Sequence, residues 1–150
     1  MDIISEGTFD AVLLDHIARR VMGRATSGIS VGGGFSRIHL LNDNVANQRR
    51  ASDILNHFNT LQLLETRTSM REGETDPVIR CRDQAIANDN DVGYLVLFDG
   101  EVYAQGSDSV ISGELSLTLS RPAAGSYSVF VYRLRGNYAS ASVQIVVQEA

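Results

Sequence analysis

The sequence predicts a mainly β protein, an antiparallel sandwich preceded by a helical N-terminal region. Three runs, over residues 115–119, 127–131 and 143–147, alternate apolar and polar side chains. A period of two is typical of strands that bury one face against a core. In the N-terminal part, the apolar residues instead recur at helical spacings. The change of pattern predicts a helical region over residues 1–59 and a sandwich over residues 60–150.

The composition is that of an acidic globular protein. The chain has 150 residues, 43% of them hydrophobic, and a formal net charge of −5. No apolar run approaches the roughly 20 residues that a membrane-spanning helix needs, so we expect no membrane partner. All 13 basic residues are arginines, and residues 61–150 carry seven of them against twelve acidic residues. A phosphate-binding surface requires clustered cations, so we expect no nucleic-acid partner.

The first periodic segment is a predicted helix over residues 8–23, which Thr8 would cap and Gly23 would end. Its apolar residues recur at intervals of three and four and form one stripe: Phe9, Val12, Leu13, Ile17 and Val21. Such a stripe needs a surface to pack on. We expect its first four residues to bind a partner, or the stripe to cover the outer face of the sandwich.

The rest of the N-terminal region is less regular. Residues 25–42 contain strand-like apolar residues interrupted by glycines at 32–34, a pattern that predicts either a loose hairpin or a mobile loop. Residues 43–59 predict a second amphipathic helix. Arg49 and Arg50 lie in its middle, where we expect them to be solvated or to face a protein partner.

The single cysteine, Cys81, excludes an internal disulfide and favours folding in a reducing compartment. The acidic N-terminal segment has none of the features of a secretion signal, which agrees with that expectation. Cys81 lies in a predicted strand, so we expect it to be buried. Burial raises the pKa of a thiol, and this cysteine should therefore be structural and unreactive.

Residues 60–150 resemble an intermediate-type immunoglobulin-like domain. Cys81 stands at the strand B cysteine position, and the hairpin signal at 99–100 stands at the turn between strands C and C′. Residues 125–127, Gly-Ser-Tyr, match the tyrosine corner at the start of strand F. Val129 replaces the second cysteine of the family. The resemblance implies a sandwich in which the Tyr127 hydroxyl bonds back to the chain.

The same resemblance extends to a biological context. Disulfide-free immunoglobulin-like domains without a secretion signal are similar to those of tailed-bacteriophage virions. The resemblance implies a capsid decoration or cement protein, assembled in the host cytoplasm and resident in the virion. Residues 1–59 would bind the major capsid protein or another virion protein, and the chain could form a homo-oligomer. The alternative is a module that recognises a host-cell glycan or protein through loops at 88–91 and 106–109.

Residues on the predicted strand F also suggest a contact surface. If Tyr127 faces the core, then Phe130 and Tyr132 face the opposite side of the sheet, where Leu95 and Leu97 would join them. An exposed apolar patch of this size marks an interface. We therefore expect Phe130 and Tyr132 to bind a partner unless the N-terminal helix covers them.

The sequence contains no recognised constellation for catalysis. The three histidines, His16, His39 and His57, lack metal-ligand spacing, and no serine lies in a Gly-x-Ser-x-Gly motif. The acidic stretch at 88–93 lacks the register of a calcium loop and its later glutamate. We expect neither an enzyme nor a bound cofactor or metal ion.

Overall fold

The computed structural model describes residues 1–56, 59–64, 66–82, 92–108, 114–134 and 138–150. The chain forms two compact units, Met1–Phe58 and Asn59–Ala150. Strands predominate, so the prediction of a mainly β protein is confirmed.

The N-terminal unit combines two helices with a three-stranded antiparallel sheet of order β1-β3-β2. Its elements, in chain order, are β1 (Asp2–Glu6), α1 (Ala11–Met22), a 3-10 turn (Gly23–Ala25), β2 (Thr26–Gly32), β3 (Phe35–Leu40) and α2 (Val45–Asn56). The description of this region as helical was therefore incomplete. Of the two alternatives for residues 25–42, the hairpin forms. Gly33 and Gly34 make its turn with φ of 61° and 81°, values that favour glycine.

Helix α1 begins later than predicted. Asp10 is its N-cap, and the Asp10 Oδ1 atom accepts hydrogen bonds from the backbone N–H groups of Val12 (3.0 Å) and Leu13 (3.1 Å). Thr8 does not cap the helix, because the chain around it is still bound to β3, as the Phe9 N–H donates to Ser36 Oγ at 3.0 Å. Gly23 ends the helix as predicted, with a φ of 56°.

Both helices contact the strands of the sheet within this unit. The buried side chains of α1 are Leu13, Leu14, Ile17, Ala18 and Met22, and those of α2 are Asn47, Ala51, Ile54 and Leu55. In β3, Ser36, Ile38 and Leu40 are buried, while the alternate residues are not. The sheet therefore has one buried face and one accessible face.

The C-terminal unit contains two sheets, of strand order β10-β7-β5 and β4-β12-β11-β8-β9, with β6 also pairing with β12. Its strands are β4 (Asn59–Thr60), β5 (Gln62–Leu63), β6 (Ser69–Arg71), β7 (Val78–Arg82), β8 (Val92–Phe98), β9 (Glu101–Asp108), β10 (Glu114–Thr118), β11 (Gly125–Arg133) and β12 (Ala139–Gln148). The pairs are antiparallel except that β4 and β6 run parallel to β12. This order is that of an immunoglobulin-type sandwich.

The sandwich core follows the predicted alternation. Tyr127, Val129 and Val131 of β11 are each 1% exposed. They pack in one cluster with side chains from both sheets, including Ile79, Cys81, Leu115, Ile145 and Val147. The predicted two-residue hairpin turn between β8 and β9 is also present. Asp99 and Gly100 both have positive φ, of 48° and 88°.

Candidate functional site

The tyrosine corner is present in the sandwich. The Tyr127 hydroxyl donates a hydrogen bond to the Ala123 carbonyl oxygen at 3.0 Å, four residues upstream. The ring centroid lies 4.8 Å from that of Phe98 and 5.6 Å, edge-on, from that of Tyr103. Burial raises the pKa of Tyr127. This residue locks the start of β11 and has a structural role.

Cys81 is buried as predicted. Its side chain is 3% exposed on β7, where Leu115 of β10 and Leu63 of β5 are its neighbours in the sheet. Burial raises the pKa of the thiol to about 11. The thiolate is the reactive form of cysteine, so this group is not suited to nucleophilic chemistry near neutral pH.

Phe130 and Tyr132 lie on the face of the sheet opposite the core, and the register sets Phe130 beside Leu95. Yet Phe130 is only 6% exposed and Tyr132 is fully buried. Of the alternatives given for these two residues, burial favours cover within the chain over an accessible surface, and their contact with a partner stays a prediction. Part of the reason for the burial is local: the Tyr132 ring lies across Gly93, where an added Cβ would be 2.4 Å from the ring.

The predicted stripe on α1 is also not a binding surface as a whole. Leu13 and Ile17 are 5% and 0% exposed and belong to the interior of the N-terminal unit. Their assignment as partner contacts is corrected, because a side chain packed inside the unit cannot also meet a partner. Phe9 is half-buried, and Val12 is 44% exposed because the helix turns it away from the sheet.

Arg49 and Arg50 are exposed on α2, as a solvated or partner-facing pair requires. Val45 lies one helical turn before Arg49 and is 71% exposed, and Leu41, just before this helix, is 68% exposed. Met1, 60% exposed, precedes β1, and its carbonyl oxygen accepts the Leu40 N–H at 2.8 Å.

These exposed groups belong to the end of the N-terminal unit where β1 begins, β3 ends and α2 begins. We call them the end patch: Met1, Leu41, Val45 and Arg49. No sequence pattern points to its apolar members, because they flank helices and strands and show no periodicity.

The accessible face of the N-terminal sheet carries a hydrogen-bonded chain of three side chains. Asp2 Oδ1 lies 2.7 Å from Nδ1 of His39, and Nε2 of the same ring lies 2.7 Å from Ser30 Oγ. Each residue comes from a different strand, and the bond to His39 is the main cause of a lowered pKa at Asp2. No local pattern of residues points to this cluster, because only the register of the sheet brings the three together.

The remaining polar sites are already engaged or lie outside the described residues. A cleft is lined by Glu72, Glu74, Asp76 and Arg121. The backbone N–H of Arg121 donates a hydrogen bond to Asp76 Oδ1 at 2.9 Å, and Arg67 forms an ion pair with Glu74. Among the described residues, no cluster of three or more candidate ligands could hold a metal ion.

His16 is half-buried on α1, and burial lowers its pKa. His57, the stretch at 88–91 and residue 109 lie outside the described residues. No helix in the described ranges has the length and apolar character that crossing a membrane would require.

Comparison with known proteins yields a structural likeness at low sequence identity. No family model matches the chain, and no curated protein matches it. A CARDB domain from Pyrococcus furiosus, solved in complex with di-metal ions, aligns with 12% identity and a TM-score of 0.35. The alignment covers 62% of this chain and 98% of that domain.

Proposed function

We propose that this chain is a structural accessory protein that attaches to a bacteriophage capsid through its N-terminal unit. The observation that supports the proposal is the end patch. Its three apolar side chains are 60% (Met1), 68% (Leu41) and 71% (Val45) exposed. Arg49 stands one helical turn from Val45. Methionine and arginine are enriched at protein–protein interfaces, and removing exposed leucine and valine side chains from water against a partner is favourable.

The absence of a disulfide from the core of the sandwich agrees with a role as a capsid-attached protein. Its core is continuous without a disulfide, and the buried Cys81 is a free thiol. Such a domain needs no oxidising compartment in order to fold. It would suit a protein made and assembled in the host cytoplasm and then presented on the virion.

The test is co-sedimentation of the purified chain with capsid shells that lack it. We expect saturable binding, and we expect the double variant Leu41→Ser, Val45→Ser to weaken it at least tenfold, because truncating interface anchors costs about 2 kcal/mol or more. The matched control is Val102→Ser. Val102 is 59% exposed on the sandwich and should leave binding unchanged.

Equal binding by the end-patch variant and the wild type would overturn the assignment of the surface. Failure of the wild type to bind any shell would overturn the capsid as the partner. Binding of the wild type to host cells, with none to shells, would instead favour recognition of a host-surface glycan or protein.

A further inference from the structure

The accessible face of the N-terminal sheet brings together a set of polar side chains from all three strands. The register pairs Asp2 with His39, Ile4 with Arg37, and Ser30 with Arg37. Paired residues point to the same side of a sheet. The helices occupy the opposite face, where the alternate residues of β3 are buried.

The hydrogen bonds select one tautomer of the neutral His39 ring. An ionised Asp2 carboxylate can only accept, so Nδ1 of His39 carries the proton that it shares with Asp2. In the neutral ring, Nε2 is then an acceptor, and it lies 2.7 Å from the Ser30 hydroxyl. Ser30 is thus held as a donor to a basic nitrogen, the arrangement that activates a serine for attack.

The guanidinium of Arg37 adds a positive charge on the strand between Asp2 and Ser30. Arg37 is directly opposite Ser30 in the sheet, and its positive charge contributes to the lowered pKa of Asp2. Side chains of directly opposed residues start about 5 Å apart at Cβ, so the guanidinium can reach an oxygen bonded near Ser30 Oγ. A cation in that place stabilises the negative charge that develops when a carbonyl carbon is attacked.

We infer that Ser30 is a nucleophilic serine that reacts with activated carboxylic esters. Ser30 Oγ forms a bond to the carbonyl carbon while its proton passes to His39 Nε2. The ester C–O bond then breaks, and the leaving alcohol takes that proton. Water hydrolyses the acyl-Ser30 ester by the same route and releases the carboxylic acid. His39 is the general base, and Asp2 is a positioning residue.

The surroundings of Ser30 define the class of ester. Ser30 is itself exposed on an open sheet face. On the same face, Ile4 is 50% exposed and Phe35 is 39% exposed, so apolar surface adjoins the polar group. An open site offers little selection by shape, and we expect small aryl esters with good leaving groups to react best. This activity goes beyond the proposed attachment and does not depend on it.

The experiment uses the full chain with two probes. The first is p-nitrophenyl acetate, whose release of p-nitrophenolate is followed by absorbance. The second is a fluorophosphonate, whose adduct on serine is located by mass spectrometry. We expect the adduct on Ser30 and none on Ser27, an exposed serine of the same strand that serves as an internal control.

Three variants separate the roles. Ser30→Ala should abolish the adduct and reduce ester hydrolysis to the rate of free histidine at equal concentration. His39→Gln keeps a hydrogen-bonding side chain but provides no base, and it should lower kcat about 10²-fold or more, the usual contribution of general-base catalysis. Asp2→Asn should lower kcat with KM unchanged, because the amide can donate to Nδ1 and reverse the tautomer. Asp2→Glu should recover part of the loss.

Thermal unfolding of each variant controls for loss of the fold. Absence of a wild-type adduct on Ser30, or equal labelling of Ser27, would overturn the proposal. Unchanged hydrolysis by a folded Ser30→Ala would do so too. Ser30→Ala should still co-sediment with capsid shells, and the end-patch double variant should still be labelled, so the two proposals can fail separately.

Discussion

Tyr127 ties the start of β11 to the segment before it through one hydrogen bond to the Ala123 carbonyl. The residues that make this contact are four apart in the chain, and the Gly-Ser-Tyr sequence at residues 125–127 predicts the tyrosine corner. A contact within a few residues depends on local geometry alone. For that reason the corner could be predicted from the sequence.

Replacing Tyr127 with Phe should lower the free energy of unfolding by about 1 kcal/mol, the usual net contribution of one hydrogen bond, because the part-buried bond from its hydroxyl to the Ala123 carbonyl is lost. Urea unfolding of both proteins measures the difference. Tyr103→Phe is the matched control, since Tyr103 is 52% exposed and should cost little. Equal stability of Tyr127→Phe and the wild type would contradict the corner.

The buried thiol predicts a dependence of stability on alkaline pH. Burial raises the pKa of Cys81 from 9.0 to about 11, so between these values the unfolded chain loses this proton while the folded chain keeps it. The free energy of unfolding should therefore fall as pH rises from 9 toward 11, with most of the contribution present below pH 9.

The measurement is urea unfolding of the wild type and Cys81→Ala between pH 8 and pH 11. The variant should lack the part of the slope that belongs to the thiol, about 3 kcal/mol in all for a shift of two pKa units at about 1.4 kcal/mol each. Identical slopes would mean that the thiol is accessible to water in the folded state.

At the scale of the element, the two ends of helix α1 differ in how well they could be predicted from the sequence. Its end at Gly23 was predictable, because a glycine with positive φ is a strong local stop signal. The start of the helix could not be predicted in the same way, since Thr8 and Asp10 are both good N-cap residues. Asp10 is the N-cap because the backbone N–H of Phe9 donates a hydrogen bond to Ser36 and keeps the preceding segment on β3.

Replacing Asp10 with Ala should lower the free energy of unfolding of the N-terminal unit by about 1 kcal/mol, the usual cost of losing an N-cap. Thr8→Ala is the matched control and should have no measurable effect. Helical circular dichroism during urea unfolding reports on both. A larger cost for Thr8→Ala than for Asp10→Ala would contradict the observed start of the helix.

The pairing of β8 with β11, which sets Tyr132 opposite Gly93, gives a second element-scale prediction. A Cβ at Gly93 would lie 2.4 Å from the Tyr132 ring, so Gly93→Ala should destabilise the sandwich by about 1–3 kcal/mol through overpacking. Gly32→Ala is the control, because Gly32 lies in a strand with no atom within 4 Å of an added Cβ. A neutral Gly93→Ala would show that the ring moves without cost.

At the scale of the whole molecule, the two units differ in how well their secondary structure could be predicted from the sequence. The longer strands of the sandwich, β7 to β12, show alternation or a turn signal, and the continuous core lies within residues 61–147. The sheet of the N-terminal unit was overlooked in part. Its first strand is only five residues long, and glycines interrupt the pattern of β2 and of the turn that follows it.

The self-contained core predicts that Asn59–Ala150 folds without the N-terminal unit. We expect a soluble protein with the circular dichroism of a β-sheet and a cooperative thermal transition, because Tyr127, Ile145 and their neighbours find their packing partners inside this segment. An unfolded or aggregated product would mean that the sandwich requires the first unit for its stability.

The sequence by itself determined the sandwich strands, the Asp99–Gly100 turn, the tyrosine corner and the burial of Cys81. These features depend on side-chain alternation and turn chemistry, which act over a few residues. Only the tertiary structure decided that Phe130 is buried and that Asp2, His39 and Ser30 meet. Such contacts depend on the register between strands that are distant in the chain, and no local pattern encodes that register.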